Sequence, residues 1–442
     1  MKTHLLSRCK GIIFLVVCVS LLSVGSAFGA GFALIEQGVS GLGNAYAGGA
    51  AVAEDASTIF YNPAGMTRLN GHQVILGAHL ITPYANFENK GSTHVTGAPL
   101  IGDDNGNGGD AKIIPNFYYS RKVSDRFSVG IGINTPFGLA TTYSDDWVGR
   151  YHGIKSDLMS ININPSVAYK VTDQLSIGAG FSAQYVDAEL SSAIDFGTIG
   201  ASLGIPGLIP QRNDGFFELE GDSWGVGYNL GLLYEFTKNT RAGISYRSRI
   251  EHTLEGDADF SKVPAPFSSS FRDTDAEAEV TLPDSLSVSL SHQFNPQWVV
   301  MADFTWTNWS LFDELIVKFD SDQPSNRTIE NWQDSYRYSL GASYMPDKNW
   351  TIRIGTAYDT SAVSEAKYRT PRIPDGDRIW TALGFGYKVS NMFGFDIAYA
   401  HLFINDPDIN KTATGDDRLR GALKGSFDCH IDIISAQLTM SF

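Results

Sequence analysis

Arginines on the polar side of alternating segments supply the clearest chemistry in the chain. Arg241, Arg247 and Arg249 share a parity opposite Ala242, Ile244 and Tyr246. Arg337 and Arg353 fall on the polar side of their own segments, as does Asp303. Guanidinium groups facing an enclosed space can hold a carboxylate or pair with charges of the same wall. Metal chemistry is poorly supplied. Asp103-x-Asn105-x-Asn107-Gly108 spells the first half of a calcium loop, but position twelve is Ile114 where a bidentate Glu is needed. A polar loop is expected there, and no metal or cofactor. Covalent chemistry is no better placed. There is no His-Glu-x-x-His and no phosphate loop, and the nine histidines are scattered. An enzyme is not expected.

The elements that must carry these side chains are strands. Ile177, Ala179, Phe181, Ala183 and Tyr185 alternate with Gly178, Gly180, Ser182 and Gln184. The same period of two runs through Val226 to Phe236, Leu286 to Ser291, Trp298 to Trp306 and Trp350 to Tyr358. Such alternation reads as strands with one apolar and one polar face. Six connections are tight, at Ser124-Asp125, Thr172-Asp173, Lys238-Asn239, Asn295-Pro296, Asp347-Lys348 and Ser390-Asn391. Seven are long, over 88–112, 138–155, 190–221, 255–282, 319–334, 359–377 and 403–429. Thirteen connections join fourteen strands, with short turns at one end and long loops at the other. That is the pattern of an all-β outer-membrane barrel, here residues 72–442. Aromatic residues at strand ends (Trp298, Trp306, Trp309, Trp350, Trp380) fit membrane interfaces. Charge on the lipid face would cost about 2–4 kcal/mol at mid-depth, so the arginines are expected in the lumen.

Composition and export agree. The chain has 442 residues, 43% hydrophobic and only 18% charged, with 45 glycines and a net charge of −15. Disorder, collagen and coiled coil are excluded, and the negative charge argues against nucleic-acid binding. Lys2, Arg8 and Lys10 precede an apolar run over 12–22, and Ala27-Phe28-Gly29 places small residues at a cleavage site. Residues 1–29 therefore read as a signal peptide. Cys9 and Cys18 leave with it, and Cys429 stands alone, so no intrachain disulfide is expected. Residues 30–71 are small and polar, rich in Gly and Ala around Glu54-Asp55. They read as a compact plug, or hatch, inside the barrel.

Two loops and one strand end stand out in composition. The third loop holds Leu190, Ile194, Phe196, Ile199, Leu203, Ile205, Leu208, Ile209, Phe216 and Phe217. The fourth holds Phe260, Val263, Pro264, Phe267 and Phe271. Exposed loops this apolar bury or bind something, and each methylene buried there would contribute about 0.8 kcal/mol. Asn134-Thr135-Pro136-Phe137-Gly138 ends the third strand. Proline lacks the ladder donor and glycine weakens pairing, so a kink and a gap are expected.

Ordered motifs along nearly the whole mature chain give a resemblance. They are Ala30-Gly31-Phe32, Ser40-Gly41-Leu42-Gly43-Asn44-Ala45-Tyr46-Ala47-Gly48, Asp55-Ala56, Asn62-Pro63-Ala64 and Gly138-Leu139-Ala140-Thr141. Further on come Trp224-Gly225-Val226-Gly227-Tyr228, Tyr246-Arg247-Ser248, Leu282-Pro283-Asp284, Trp306 with Trp309, and 373–380, Ile-Pro-Asp-Gly-Asp-Arg-Ile-Trp. The chain resembles the FadL family of long-chain fatty-acid transporters. The resemblance implies a fourteen-stranded barrel with an N-terminal hatch. It implies a ligand groove between the third and fourth extracellular loops, a lumen pocket, hatch rearrangement and lateral release at the third-strand kink. Phe32, Asn62, Pro63 and Ala64 are its hatch candidates, and Pro136, Phe137 and Gly138 its lateral opening. The family's basic residue in the ninth strand falls near Ile316, where Lys318 on the same face could substitute. The last strand, Ile434 to Phe442, resembles those whose final Phe is read by the barrel-assembly machinery. The expected protein is a monomeric barrel in outer-membrane lipid of a Gram-negative cell. It takes up hydrophobic small molecules passively: long-chain fatty acids first, aromatic or aliphatic hydrocarbons second, with a porin or adhesin as the remaining alternative.

Overall fold

The computed structural model describes residues 31–442, so the signal peptide lies outside it. Fourteen antiparallel strands close into a barrel. They are β1 (His72–Asn89), β2 (Lys112–Lys122), β3 (Phe127–Asn134, resuming at Gly138–Thr142), β4 (Lys155–Lys170), β5 (Leu175–Asp195), β6 (Asp214–Thr237) and β7 (Thr240–Arg247, then Ile250–Ser261). The second half is β8 (Thr274–Leu282, then Ser285–Asn295), β9 (Trp298–Thr307, then Glu314–Phe319), β10 (Asn326–Ile329, then Ser335–Tyr344), β11 (Trp350–Asp359), β12 (Arg378–Lys388), β13 (Phe393–Ile404) and β14 (Lys424–Ser441). β14 pairs with both β13 and β1, from Gln73↔Ser441 to Asn89↔Gly425. The backbones of His72 and Phe442 exchange both hydrogen bonds at the seam, so the wall keeps no free edge there.

The side-chain period sets what each face meets. Val226, Leu340, Ile354 and Ile434 are 60% or more exposed on the outer surface. Such a band is stable only against lipid. Trp298 packs on Tyr344 and Trp350 on Tyr387, each with ring centroids 4.6 Å apart, near the short-turn rim. Tyr185 and Trp224 pack at 5.3 Å towards the loop end. Trp309 and Trp380, expected at an interface, are instead buried. Trp380 shares the inward parity of Arg378 and Ala382, and Trp309 sits in a short 3-10 turn where β9 leaves the wall.

Above Trp224 the polarity of the alternation reverses while its parity does not. Phe217 and Leu219 point inward, and Glu218 and Glu220 point out to water. The strands therefore run further than the apolar-out pattern indicates. Leu190, Ile194, Phe216, Phe217 and Phe260 belong to strands, and the third and fourth loops shrink to 196–213 and 262–273. Gly138–Thr142 is likewise strand, paired with Lys155–Met159. On the outer face of this upper wall two carboxylate rows cross four strands. Asp187, Asp222, Glu255 and Glu277 form one row, and Glu189, Glu220, Asp257 and Asp275 the other.

Residues 31–71 fill the lumen. Short helices at Val39–Leu42, Gly49–Val52 and Thr58–Tyr61 lead into a 3-10 turn at Pro63–Arg68. The small residues let this backbone touch the wall on all sides. Val39 N donates to Gln437, Asn44 Nδ2 to the Ala342 carbonyl and Ala50 N to Ser289 Oγ.

Candidate functional site

The break in β3 is the centre of the site. From Thr135 to Phe137 the strand leaves its ladder, because Pro136 has no N–H to give. β2 pairs with β3 only from Phe117↔Ile133 to Lys122↔Ser128, and the resumed segment of β3 pairs with β4 alone among the strands. β2 and upper β3 are therefore not paired with each other, and the backbone bridges the gap between them only at its top, where Thr142 N donates to Gly108 O (3.0 Å). The backbone groups freed there bond to the plug. Leu34 N donates to Pro136 O (2.8 Å), Gly138 N to Phe32 O (2.9 Å) and Gln37 Nε2 to Thr135 O (2.7 Å). Ser160 Oγ on β4 satisfies both N and O of Phe137.

Phe32 plugs the space above this break. Its ring meets Trp309 at 4.7 Å, Trp332 at 5.9 Å, Phe312 at 6.0 Å and Phe137 at 6.2 Å. Burying one such ring is worth about 2–3 kcal/mol, with more from edge-to-face geometry. Gly31 turns the chain into this cage at φ +61°, and a Cβ there would lie 2.6 Å from Trp332. The cage comes from three separate segments, at Phe137, Trp309–Phe312 and Trp332, and of these rings only Phe32 and Phe137 were site candidates from the sequence.

Asn62, Pro63 and Ala64 sit elsewhere, against β5 and β6. Asn62 Oδ1 accepts from Ala64 N, and its Nδ2 donates to Ala50 O (2.6 Å) and Leu232 O (3.0 Å). A Cβ on Gly231 would lie 2.0 Å from Asn62 Oδ1, and one on Gly178 2.3 Å from Ala64 N. The triplet is flush with the wall and anchors the base of the plug.

The loop residues split into two groups. An open cleft of about 950 Å³ is lined by Phe217, Phe260, Phe271 and Phe319 together with Ile194 and Ile199. Phe217 packs at a tilt on Phe260 at 5.4 Å and edge-to-face on Phe319 at 5.8 Å. Phe196 and Phe267 lie beneath, buried and stacked at 5.3 Å, so they support the cleft and do not line it. Phe216 packs under Lys262, Leu208 against the helix Phe196–Ser202, and Leu203 is exposed. None of these three, nor Ile205, borders the cleft. Phe319, from the ninth strand, was not foreseen.

The cations are also unequal. Arg353 is buried between Glu54 of the plug and Asp396 of β13. Arg247 donates to Phe60 O and lies 4.2 Å over the Phe60 ring. Arg241 has an Nε without a partner among the described residues. Arg337 donates to Ala45 O. Two basic residues do not face the lumen. Lys318 points outward with Ile316 and pairs with Glu277 and Glu279, while Val317 takes the inward position. Arg249 is exposed, because a bulge at Ser248, whose Oγ accepts from Tyr228 N, shifts the alternation by one. The half calcium loop does not converge. Asn107 Oδ1 accepts from Ala85 N and Gly109 N. Gly221 to Gly225 spells Gly-x-Ser-x-Gly, but it lies within β6 and not at a strand–helix turn, so it forms no nucleophile elbow.

A closed barrel with a lipid-facing apolar band, a filled lumen and a hydrophobic outer cleft is an outer-membrane transport protein. The chain belongs to the outer membrane protein transport protein family (OMPP1/FadL/TodX), whose model matches residues 20–442. It is 31% identical to the long-chain fatty acid transport protein of Escherichia coli K12, covering 90% of this chain and 93% of that one. It is 30% identical to outer membrane protein P1 of Haemophilus influenzae, over 97% and 98%. A FadL homologue from Pseudomonas aeruginosa superposes with a TM-score of 0.85 at 25% identity, over 93% of this chain and all of that one. The Pseudomonas putida toluene transporter TodX shares the fold, with a TM-score of 0.68 at 20% identity.

Proposed function

We propose that the protein carries hydrophobic molecules, long-chain fatty acids foremost, passively across the outer membrane. The apolar chain is caught in the cleft of Phe217, Phe260, Phe271 and Phe319. Displacement of Phe32 from its aromatic cage withdraws residues 32–37 from the break in β3. The cargo then leaves sideways between β2 and β3. One observation carries this reading: of the backbone groups freed at the break, Thr135 N and O, Pro136 O and Gly138 N bond to the plug, and only Phe137 is held by a side chain of the wall, Ser160 of β4. A wall segment held that way opens when the plug moves, without breaking a ladder. Relatives named for fatty-acid transport support the cargo. Hydrocarbons are the second reading. The rim of the cleft carries Asp195, Asp273, Asp320, Asp322 and Asp416 against two arginines, which favours neutral cargo.

Ala33 and Phe137 are bridge partners, so cysteines at both positions can be joined. Uptake of labelled oleate and labelled toluene is then measured in cells lacking their own transporter. Oxidation is expected to stop uptake of the cargo and reduction to restore it. Undiminished uptake by the cross-linked protein refutes plug withdrawal. Uptake of toluene without oleate moves the assignment to hydrocarbons.

A further inference from the structure

Lys112 opens β2 opposite the buried Ile81, on the inward parity of that strand. Its Nζ nevertheless reaches Asp157 Oδ2 at 2.8 Å and Asp110 Oδ2 at 3.5 Å. Asp157 stands opposite Glu189, on the outer face of β4. It heads the carboxylate row that runs on through Glu220, Asp257 and Asp275. The side chain of Lys112 therefore passes from the inner to the outer side of the wall, between two strands that do not pair. Ala140 of upper β3, the small residue directly opposite Asp157, is covered there and 1% exposed. It lies beyond Phe137 by about 10 Å along the strand.

This window is the outer mouth of the break. The bond between Thr142 and Gly108 closes it above, and Phe32 and Leu34 of the plug close it behind through Gly138 and Pro136. Two other cations close by are committed. Lys155 pairs with Glu189, and Arg372, inside the wall, donates to Ser156 Oγ and to the carbonyls of Lys155 and Ser191. The side chains of Lys112 and Asp157 are 21% and 27% exposed. A pair so placed is held weakly, so it can part and re-form. An ammonium drawn away from it needs another anion, because a charge left bare in a largely water-free wall is costly.

We propose that Lys112 determines which cargo leaves sideways: it straps the mouth of the break to Asp157 and exchanges that partner for the carboxylate of a departing chain. The proposal rests on the fatty-acid reading and the sideways exit above. The exchange trades one ammonium–carboxylate pair for another, and Asp110 keeps the ammonium near the window meanwhile. A neutral chain offers nothing in exchange and has to push the ammonium aside. Acids therefore pass in preference to neutral chains of the same length. Selection for the acid falls at the exit and not at the loop cleft, whose rim is itself acidic.

The test compares uptake of oleate with uptake of 1-octadecene, a chain of equal length without the carboxylate, by the full-length protein in cells lacking their own transporter. Lys112→Met keeps the stem and removes the charge. It is expected to raise octadecene uptake about two- to fivefold and to leave oleate no faster, so the oleate-to-octadecene ratio falls. Asp157→Asn frees the ammonium for cargo and is expected to raise that ratio by about the same factor. Heat-dependent electrophoretic mobility reports barrel closure. If Lys112→Met does not close, Asp157→Asn decides. A ratio unchanged in both variants, with oleate still entering, overturns the exchange and leaves the fatty-acid reading standing. A rise of both cargoes by one factor in Lys112→Met makes the lysine a passive strap and also overturns it. Octadecene entering the unaltered protein without oleate overturns the fatty-acid reading and the exchange together.

Discussion

At the residue scale, Glu36 couples plug docking to pH. It belongs to the plug and to no membrane-spanning strand, and burial is the main cause of its raised value, about 7 against 4.5 for a free carboxyl. Arg337 and Arg378 of the barrel pull that value down, and Asp359 pushes it up. The neutral form is favoured in the docked state. Its contribution is whole below about pH 4.5, is lost as pH rises to about 7 and is absent above. The span corresponds to up to about 3 kcal/mol. Limited proteolysis of the plug is expected to quicken between pH 5 and pH 8, and Glu36→Gln to remove the difference. An equal pH response in the variant would assign the effect to another group. Nothing in the sequence around Glu36 distinguishes it from a solvated acid. Its environment comes from strands three hundred residues away.

At the scale of elements, the strands were legible because a period of two survives burial on either face. What misled the reading was the change of surroundings along one strand. β6 keeps its parity through Trp224, but above it water replaces lipid outside and apolar side chains replace polar ones inside. Its upper end therefore reads as loop. Bulges and breaks misplaced two cations: Ser248 turned Arg249 outward, and the departure of β9 at Trp309–Leu311 left Lys318 on the outer face. The break in β3 was readable, since proline and glycine announce it. Its partner segment was not, because the plug reaches it through a turn only glycine suits. Gly31→Val places a branched side chain at φ +61° and into Trp309 and Trp332. We expect a closed barrel with an undocked N-terminus and faster entry of a neutral hydrophobic dye. Dye entry no faster than in the unaltered protein would deny the Phe32 cage a gating role.

At the scale of the whole molecule, the barrel is held from within as much as by its ladders. Arg353 ties the plug to β13, Gln437 of β14 donates to Asp55, and Asn62 reaches the wall at Leu232. The outside of the upper wall is built differently. Two rows of carboxylates stand directly opposite one another across β5, β6, β7 and β8, relieved by Lys155 at one side and Lys318 at the other. Like charges so placed repel. Dissolved ions screen such repulsion beyond about 10 Å at 0.1 M salt. The upper wall should therefore gain stability as ionic strength rises, opposite to a surface held by exposed ion pairs. Thermal unfolding of the purified barrel at low and at moderate sodium chloride reads the sign directly, and a fall in midpoint with added salt would contradict it. The hairpins that carry the cleft are thus tuned by the ionic medium around the cell, with no change in the aromatic contacts that line it.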